Sequence, residues 1–266
     1  PRAYSIAGSI KIYAGTATIA ENMTATGAGS EILVKATGDI ATSGGTSGTP
    51  RTLQTNAGAV TLWSDADANS AGAIELTDFT KLNSANGSTS QAATGGQITL
   101  GGGADSGSGA PAGYAYGNSS GRMRGVLFGN TTSTTNGTFD IYSGTGGISI
   151  RGNSAYSSGT DMNGLINIIA GGEITIEGVE SGATTPNFHA LRVNDQSTGT
   201  FKVDSSKASG TAITLIGNNT NSVDPAGIAI WGDSARGGLV QASGGGNISI
   251  QGSATSANYG VYLSSV

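Results

Sequence analysis

Between Gly137 and Gly178 apolar and polar residues alternate in short bursts. The run GTFDIYSGTGGISIRGN puts Phe139 and Ile141, then Ile148 and Ile150, on one side of two short strands. A polar excursion follows, SAYSSGTDMN, and the pair returns as GLINIIAGGEITIEG with Ile166 and Ile168, then Ile174 and Ile176. Alternation with a period of two predicts half-buried strands. Equivalent positions recur after about 26 residues, within the range of repeat arrays.

The same pattern extends along the chain. Strands are predicted at Ser9–Tyr13, Glu31–Lys35, Ala59–Trp63, Ala73–Leu76, Gln97–Leu100 and Gly125–Phe128 before the central stretch. After it come Leu191–Val193, Phe201–Val203, Ala212–Ile216, Gly227–Trp231, Gly238–Gln241, Asn247–Ile250 and Gly260–Leu263. Gly, Ser, Thr, Asn and Asp fill the connections, as turns require. No segment carries apolar residues at helical spacing over three turns, so helix is not expected. A propeller blade needs about 40 residues and four strands. Two strong strands per repeat fit instead an all-β, single-stranded parallel β-helix, or β-solenoid. The spacing predicts about ten coils of roughly 22–27 residues and a rod of about 50 Å. No composition shift divides residues 1–266, which read as one continuous β-helix domain.

Strand parity assigns the faces. Ile148, Ile150, Ile174 and Ile176 point inward, while Arg151 and Glu177 point outward and lie side by side in adjacent coils. Equal spacing also predicts one inner ladder of Ile148, Ile174, Phe201 and Ile228 and a second of Phe139, Ile166, Leu191 and Ile213. It sets Thr175 beside Lys202. The Gly pairs at 95–96, 146–147 and 171–172 precede strands and are expected to make corners through positive φ. Thr42–Gln54 and Gly101–Arg124 are expected as loops leaving the coil. Tyr13, Trp63, Tyr142 and Trp231 each follow an inward residue and are expected outside, where aromatic rings can stack on sugars or cover a neighbour.

Composition narrows the function. Glycine supplies 46 of 266 residues without a three-residue period, which excludes collagen. Charged residues are only 11 % and the net charge is −5, with the twelve basic residues scattered singly. That argues against nucleic-acid binding. Cysteine is absent, so disulfides and thiolate metal sites play no part. No apolar run approaches the roughly 20 residues of a membrane helix, and membrane insertion is not expected. The chain opens at Pro1-Arg2 without an initiator methionine and reads as a processed form or a portion of something longer. Both terminal stretches read as ordinary coils, whose open edges would pair with neighbouring coils or with copies of the same rod.

Candidate chemistry is sparse. His189, the one histidine, has no nucleophile and carboxylate in a recognisable set around it and reads as an exposed turn residue. Asp65-Ala-Asp67-Ala-Asn69 resembles the opening of a calcium loop, but Ser70 stands where that loop needs glycine and Leu76 where it needs glutamate. A β-helix hydrolase or lyase would need clustered carboxylates. Glu173, Glu177, Glu180 and Asp204 are the candidates, and a solvated face is the expected outcome. Thr16-Ala-Thr18 and Thr24-Ala-Thr26 make no extended threonine ladder, and Arg122 and Arg124 form the only close basic pair. No catalytic residue, metal or cofactor is assigned.

The segments GGISIRGN, GGEITIEG, GGGNISIQGSA, GAVTLWSDAD and GGQITLGGGAD resemble the haemagglutinin-type repeats of large bacterial exoproteins. The likeness covers most of the chain from about Gly58 onward and is to filamentous haemagglutinin adhesins exported by two-partner secretion. It implies a right-handed β-helix displayed outside the cell, as a non-enzymatic shaft in attachment, aggregation or biofilm, and the expected partners are cell-surface glycans or host or neighbouring cell surfaces. Two alternatives stay open: an extracellular filament subunit stacked through its open edges, and a β-helix polysaccharide lyase or hydrolase.

Overall fold

A computed structural model of the chain describes residues 3–77, 79–118, 121–129, 137–182, 189–193, 200–220, 226–231, 237–255 and 259–264. The chain is a parallel β-helix with three faces, and no helix occurs among the described residues. The first face stacks Ala3–Ile6, Asn22–Ala28, Arg51–Asn56, Thr80–Asn83, Thr138–Tyr142, Leu165–Ala170, Phe201–Ser205 and Gly238–Ala242. The second stacks Ile10–Ala14, Ile32–Ala36, Val60–Ser64, Ile98–Asp105, Ile148–Ser154, Ile174–Glu180, Thr211–Asn219 and Asn247–Ala254. The third stacks Ala17–Ile19, Ile40–Thr42, Ile74–Leu76, Val126–Phe128, Thr160–Met162, His189–Val193, Ala226–Trp231 and Tyr259–Ser264. Each coil visits the faces in that order.

The coils are therefore eight, fewer and longer than the spacing predicts. At about 4.8 Å per step the first and last coils lie about 34 Å apart. The third face accounts for much of the difference. Its strands in the first five coils are only three residues long, too short to declare a period.

The inner ladders follow from hydrogen-bonded register. On the second face Ile148 stacks on Ile174, as expected, but the next step is Ile213 and then Ile248. Phe201 belongs to the first face, beyond Phe139 and Ile166, and Leu191 and Ile228 pair on the third. Thr175 lies between Ser149 and Thr214, not beside Lys202. The equal-offset ladders fail because excursions of different length separate the faces. Arg151 does lie opposite Glu177.

On the second face Ile32, Val34, Val60, Leu62, Ile98, Leu100, Ile148, Ile150, Ile174, Ile176, Ile213 and Leu215 are each at most 1 % exposed. Burying each contributes on the order of 1.5–3 kcal/mol. Phe128 meets Phe139 edge-on, ring centroids 5.7 Å apart, and joins the third face to the first inside the coil.

The corner between the first and second faces has its own chemistry. Hydroxyls turn inward there and donate to glycine carbonyls: Thr55 to Gly58 at 2.6 Å, Ser84 to Gly96 at 2.7 Å, Ser143 to Gly146 at 2.8 Å and Ser205 to Gly172 at 2.7 Å. All four side chains are fully buried, so these bonds satisfy groups that water cannot reach. The Gly pairs at 95–96, 146–147 and 171–172 are not in the left-handed region, contrary to expectation. They are small because coils touch there. A Cβ on Gly146 would lie 2.1 Å from the Gly96 oxygen, and one on Gly172 2.7 Å from that of Gly146.

Neither expected loop is plain loop. The strand Ile98–Asp105 runs out of the coil, and Pro111–Gly113 pairs back on it antiparallel. Ala115–Gly117 then lies parallel to Gly152–Ser154 of the next coil. In the other stretch Thr46 and Thr49 close a tight bridge, and Arg51 onward is a strand of the first face. Arg51 folds back to donate to the Ser43 carbonyl at 2.9 Å and to Asn22 Oδ1 at 3.1 Å.

Candidate binding site

Parity on the second face builds two outward rows across the first four coils. Lys11, Leu33, Thr61 and Thr99 form one, and Tyr13, Lys35, Trp63 and Gly101 the other. The hairpin that leaves the coil after Leu100 rises beside them. Its end is tied by Asp105, whose Oδ1 accepts from the amides of Gly107 and Gly109 at 2.9 and 3.0 Å. Floor and hairpin enclose a polar cleft of about 320 Å³, the size of a small-ligand site.

Trp63 points outward, as parity requires, yet it is only 1 % exposed. The hairpin covers it, and its Nε1 donates to the Gly103 carbonyl at 2.7 Å. Lys35 closes over the other side, its Nζ 3.6 Å from the ring centroid. Such a cation over indole contributes about 0.5–1 kcal/mol. Tyr13, on the edge strand of this sheet, is 68 % exposed. Lys11 donates to Glu31 at 2.7 Å, and that hydrogen bond holds the ammonium above its usual pKa. The other two outer aromatics are half-covered. Tyr142 donates to Asp140 at 3.2 Å; burial, then the nearby carboxylate, pushes its hydroxyl up to about 12. Trp231 packs on His189 and Tyr262.

A second cluster lies on the third face. Asp161 is fully buried and accepts from Arg124 Nε at 2.9 Å and Arg192 Nε at 3.0 Å. Asn163 adds a bond of 2.8 Å. Burial alone would raise the Asp161 pKa, but Arg192 and then Arg124 outweigh it and hold the carboxyl below the usual range. His189 is buried rather than an exposed turn residue. Its ring meets Trp231 edge-on at 4.9 Å, and burial, then Arg192, pushes its pKa down to about 4.

The four carboxylates weighed as an acid–base set are dispersed among basic partners or buried. Glu173 pairs with Lys207 at 2.8 Å, Glu177 lies 3.9 Å from Arg151, and Asp204 on the first face lies 3.6 Å from Lys202. Glu180 is buried. Asp65 is buried too, its Oδ1 accepting from the Ala71 amide at 3.2 Å, while Asp67 accepts from Asn69. No group of three or more potential metal ligands occurs among the described residues, and no helix among them is long and apolar enough to cross a membrane. Arg122 pairs with Glu75, and Arg124 with Asp161, so the close basic pair splits between two carboxylates.

The sequence pointed to Tyr13 and Trp63 but not to Lys11, Glu31, Lys35 and Asp105 around them. The parity of IKIYA, ILVKA and VTLW carried a signal for the floor. Only the fold brings the hairpin over it. Comparisons with family models, with curated proteins and with solved structures find no match to this chain.

Proposed function

We propose that this chain is a non-enzymatic shaft of a bacterial surface or secreted protein of the filamentous haemagglutinin type, working outside the cell in attachment, aggregation or biofilm. What supports the reading is the unbroken stacking of eight strands on each of three faces around one apolar interior. Each coil buries its inner side only against its neighbours, so a stack resists bending and local loss of a coil together. Such a body serves as a spacer. The dispersal of Glu173, Glu177 and Asp204 among lysines and arginines favours it over polysaccharide hydrolysis, which wants two carboxyls about 5–10 Å apart across a bond.

A second reading is a filament in which copies stack end to end. Leu239, Ile248, Ile250 and Leu263 in the last coil and Tyr4 and Ile6 in the first are exposed apolar residues. Further coils, of this chain or of another copy, would continue their rows.

Beads coated with the purified chain test the attachment reading. They should adhere to bacterial or host cells, and the chain should release no reducing ends from polysaccharides. Beads that bind no cell type, or turnover that Glu173→Gln or Glu177→Gln abolishes, would overturn it. Sedimentation showing concentration-dependent linear assemblies would favour stacking.

A further inference from the structure

We propose that the cleft between the second face and the projecting hairpin binds a neutral saccharide chain, seated on Tyr13. The inference rests on the attachment reading and names the chemistry by which attachment occurs.

The first argument is the ring. Tyr13 is 68 % exposed, while Trp63 in the same outward row is covered by Lys35 and the hairpin. A tyrosine on a strand face has only two side-chain torsions to fix and offers a platform that loses little freedom on binding. Its negative face suits the weakly positive C–H side of a pyranose ring.

The second is the lining. Lys11 and Lys35 supply donors, and Glu31 and Asp105 supply acceptors. Their formal charges cancel. A sugar hydroxyl is donor and acceptor at once, so neighbouring hydroxyls want both kinds of partner. An anionic chain would gain from the lysines but meet the two carboxylates. A protein segment would want an apolar floor, whereas this lining is mostly polar.

The third is shape. Tyr13 and Trp63 stand two coils apart, about 10 Å, and the hairpin closes one side. The cleft therefore runs along the stack and admits a short run of rings lengthwise. The hydrogen bond from Trp63 Nε1 to Gly103 holds that wall in place without a ligand. Trp63 is thus a positioning residue and Tyr13 the contacting one.

The experiment is a titration of the intact chain with cellohexaose and mannohexaose as neutral probes and hexagalacturonate as the acidic one, followed by calorimetry and by tyrosine fluorescence. At least one neutral probe should bind, and Tyr13→Ala should weaken it about tenfold, with Glu31→Gln smaller in effect. Both side chains are surface groups, so unchanged thermal unfolding is expected and checks that the fold survives. Absence of neutral-probe binding, binding that Tyr13→Ala leaves intact, or preference for hexagalacturonate would overturn the proposal. Bead adherence, measured alongside, separates the two claims. Beads that coat cells while no saccharide binds refute the cleft and spare the shaft. Saccharide binding lost in Tyr13→Ala, with no adherence by wild type, supports the cleft and refutes attachment.

Discussion

Gly217 and Gly227 face one another where the second face turns into the third, and each fills the space the other's side chain would need. A Cβ on Gly217 would lie 2.1 Å from the Gly227 oxygen, and one on Gly227 2.5 Å from the Gly217 oxygen. Along the stack Gly152, Gly178, Gly217 and Gly252 occupy one register row. Here two strand backbones approach too closely for any Cβ, and much of the glycine in motifs such as ISIRG and ITIEG is explained by that contact.

Gly217→Ala should accordingly destabilise the chain by about 1–3 kcal/mol, as overpacking does. Gly178→Ala, whose added carbon would meet the Ala190 oxygen at 1.9 Å, should behave alike. Gly48→Ala has open space around it and should be close to neutral. Thermal unfolding of the three variants checks this; equal stability of all three would contradict the close-approach argument.

Asp161 pairs with both Arg124 and Arg192 from a site with no exposed surface. Asp161→Asn keeps the shape and removes the charge, leaving two guanidiniums buried against an amide. A loss of about 3–5 kcal/mol is expected in denaturant unfolding. Arg124→Met combined with Asp161→Asn should cost less than the sum of the single changes, because the pair is coupled.

Two buried groups, His189 and Asp161, act in different pH windows. His189 has its folded pKa lowered to about 4, so the unfolded chain binds its proton first as pH falls. Stability should decline from about pH 6.5 down to about 4, by roughly 3 kcal/mol in all. Asp161 has a depressed carboxyl pKa, so its contribution persists above the unfolded value and is lost only as pH drops below about 3.8. Unfolding midpoints measured from pH 7 to 3 should show both steps, and His189→Gln should flatten the first while sparing the second.

The hydroxyl corner offers a smaller test. Ser84→Ala removes the donor to the Gly96 carbonyl in a buried corner. About 1 kcal/mol should be lost, seen as a lowered unfolding midpoint with unchanged far-ultraviolet circular dichroism. Ser88→Ala, at an exposed hydroxyl outside that corner, serves as the comparison.

Alternation of isoleucine with polar residues was enough to determine strands, their inward faces, the lack of helix among the described residues and the stacking of parallel coils. Those features depend on local parity and on burial, both carried by neighbouring residues. Arg151 beside Glu177 was legible for the same reason: no excursion of unusual length separates their strands. Tertiary structure decided what depends on distance along the chain. Loops of unequal length moved Phe201, Leu191 and Ile213 to three different faces, and the hairpin after Leu100 covered a tryptophan that parity alone would leave in water. Burial of His189 and the union of Asp161 with two arginines came likewise from segments far apart in sequence, since a charge finds its partner by folding and not by spacing.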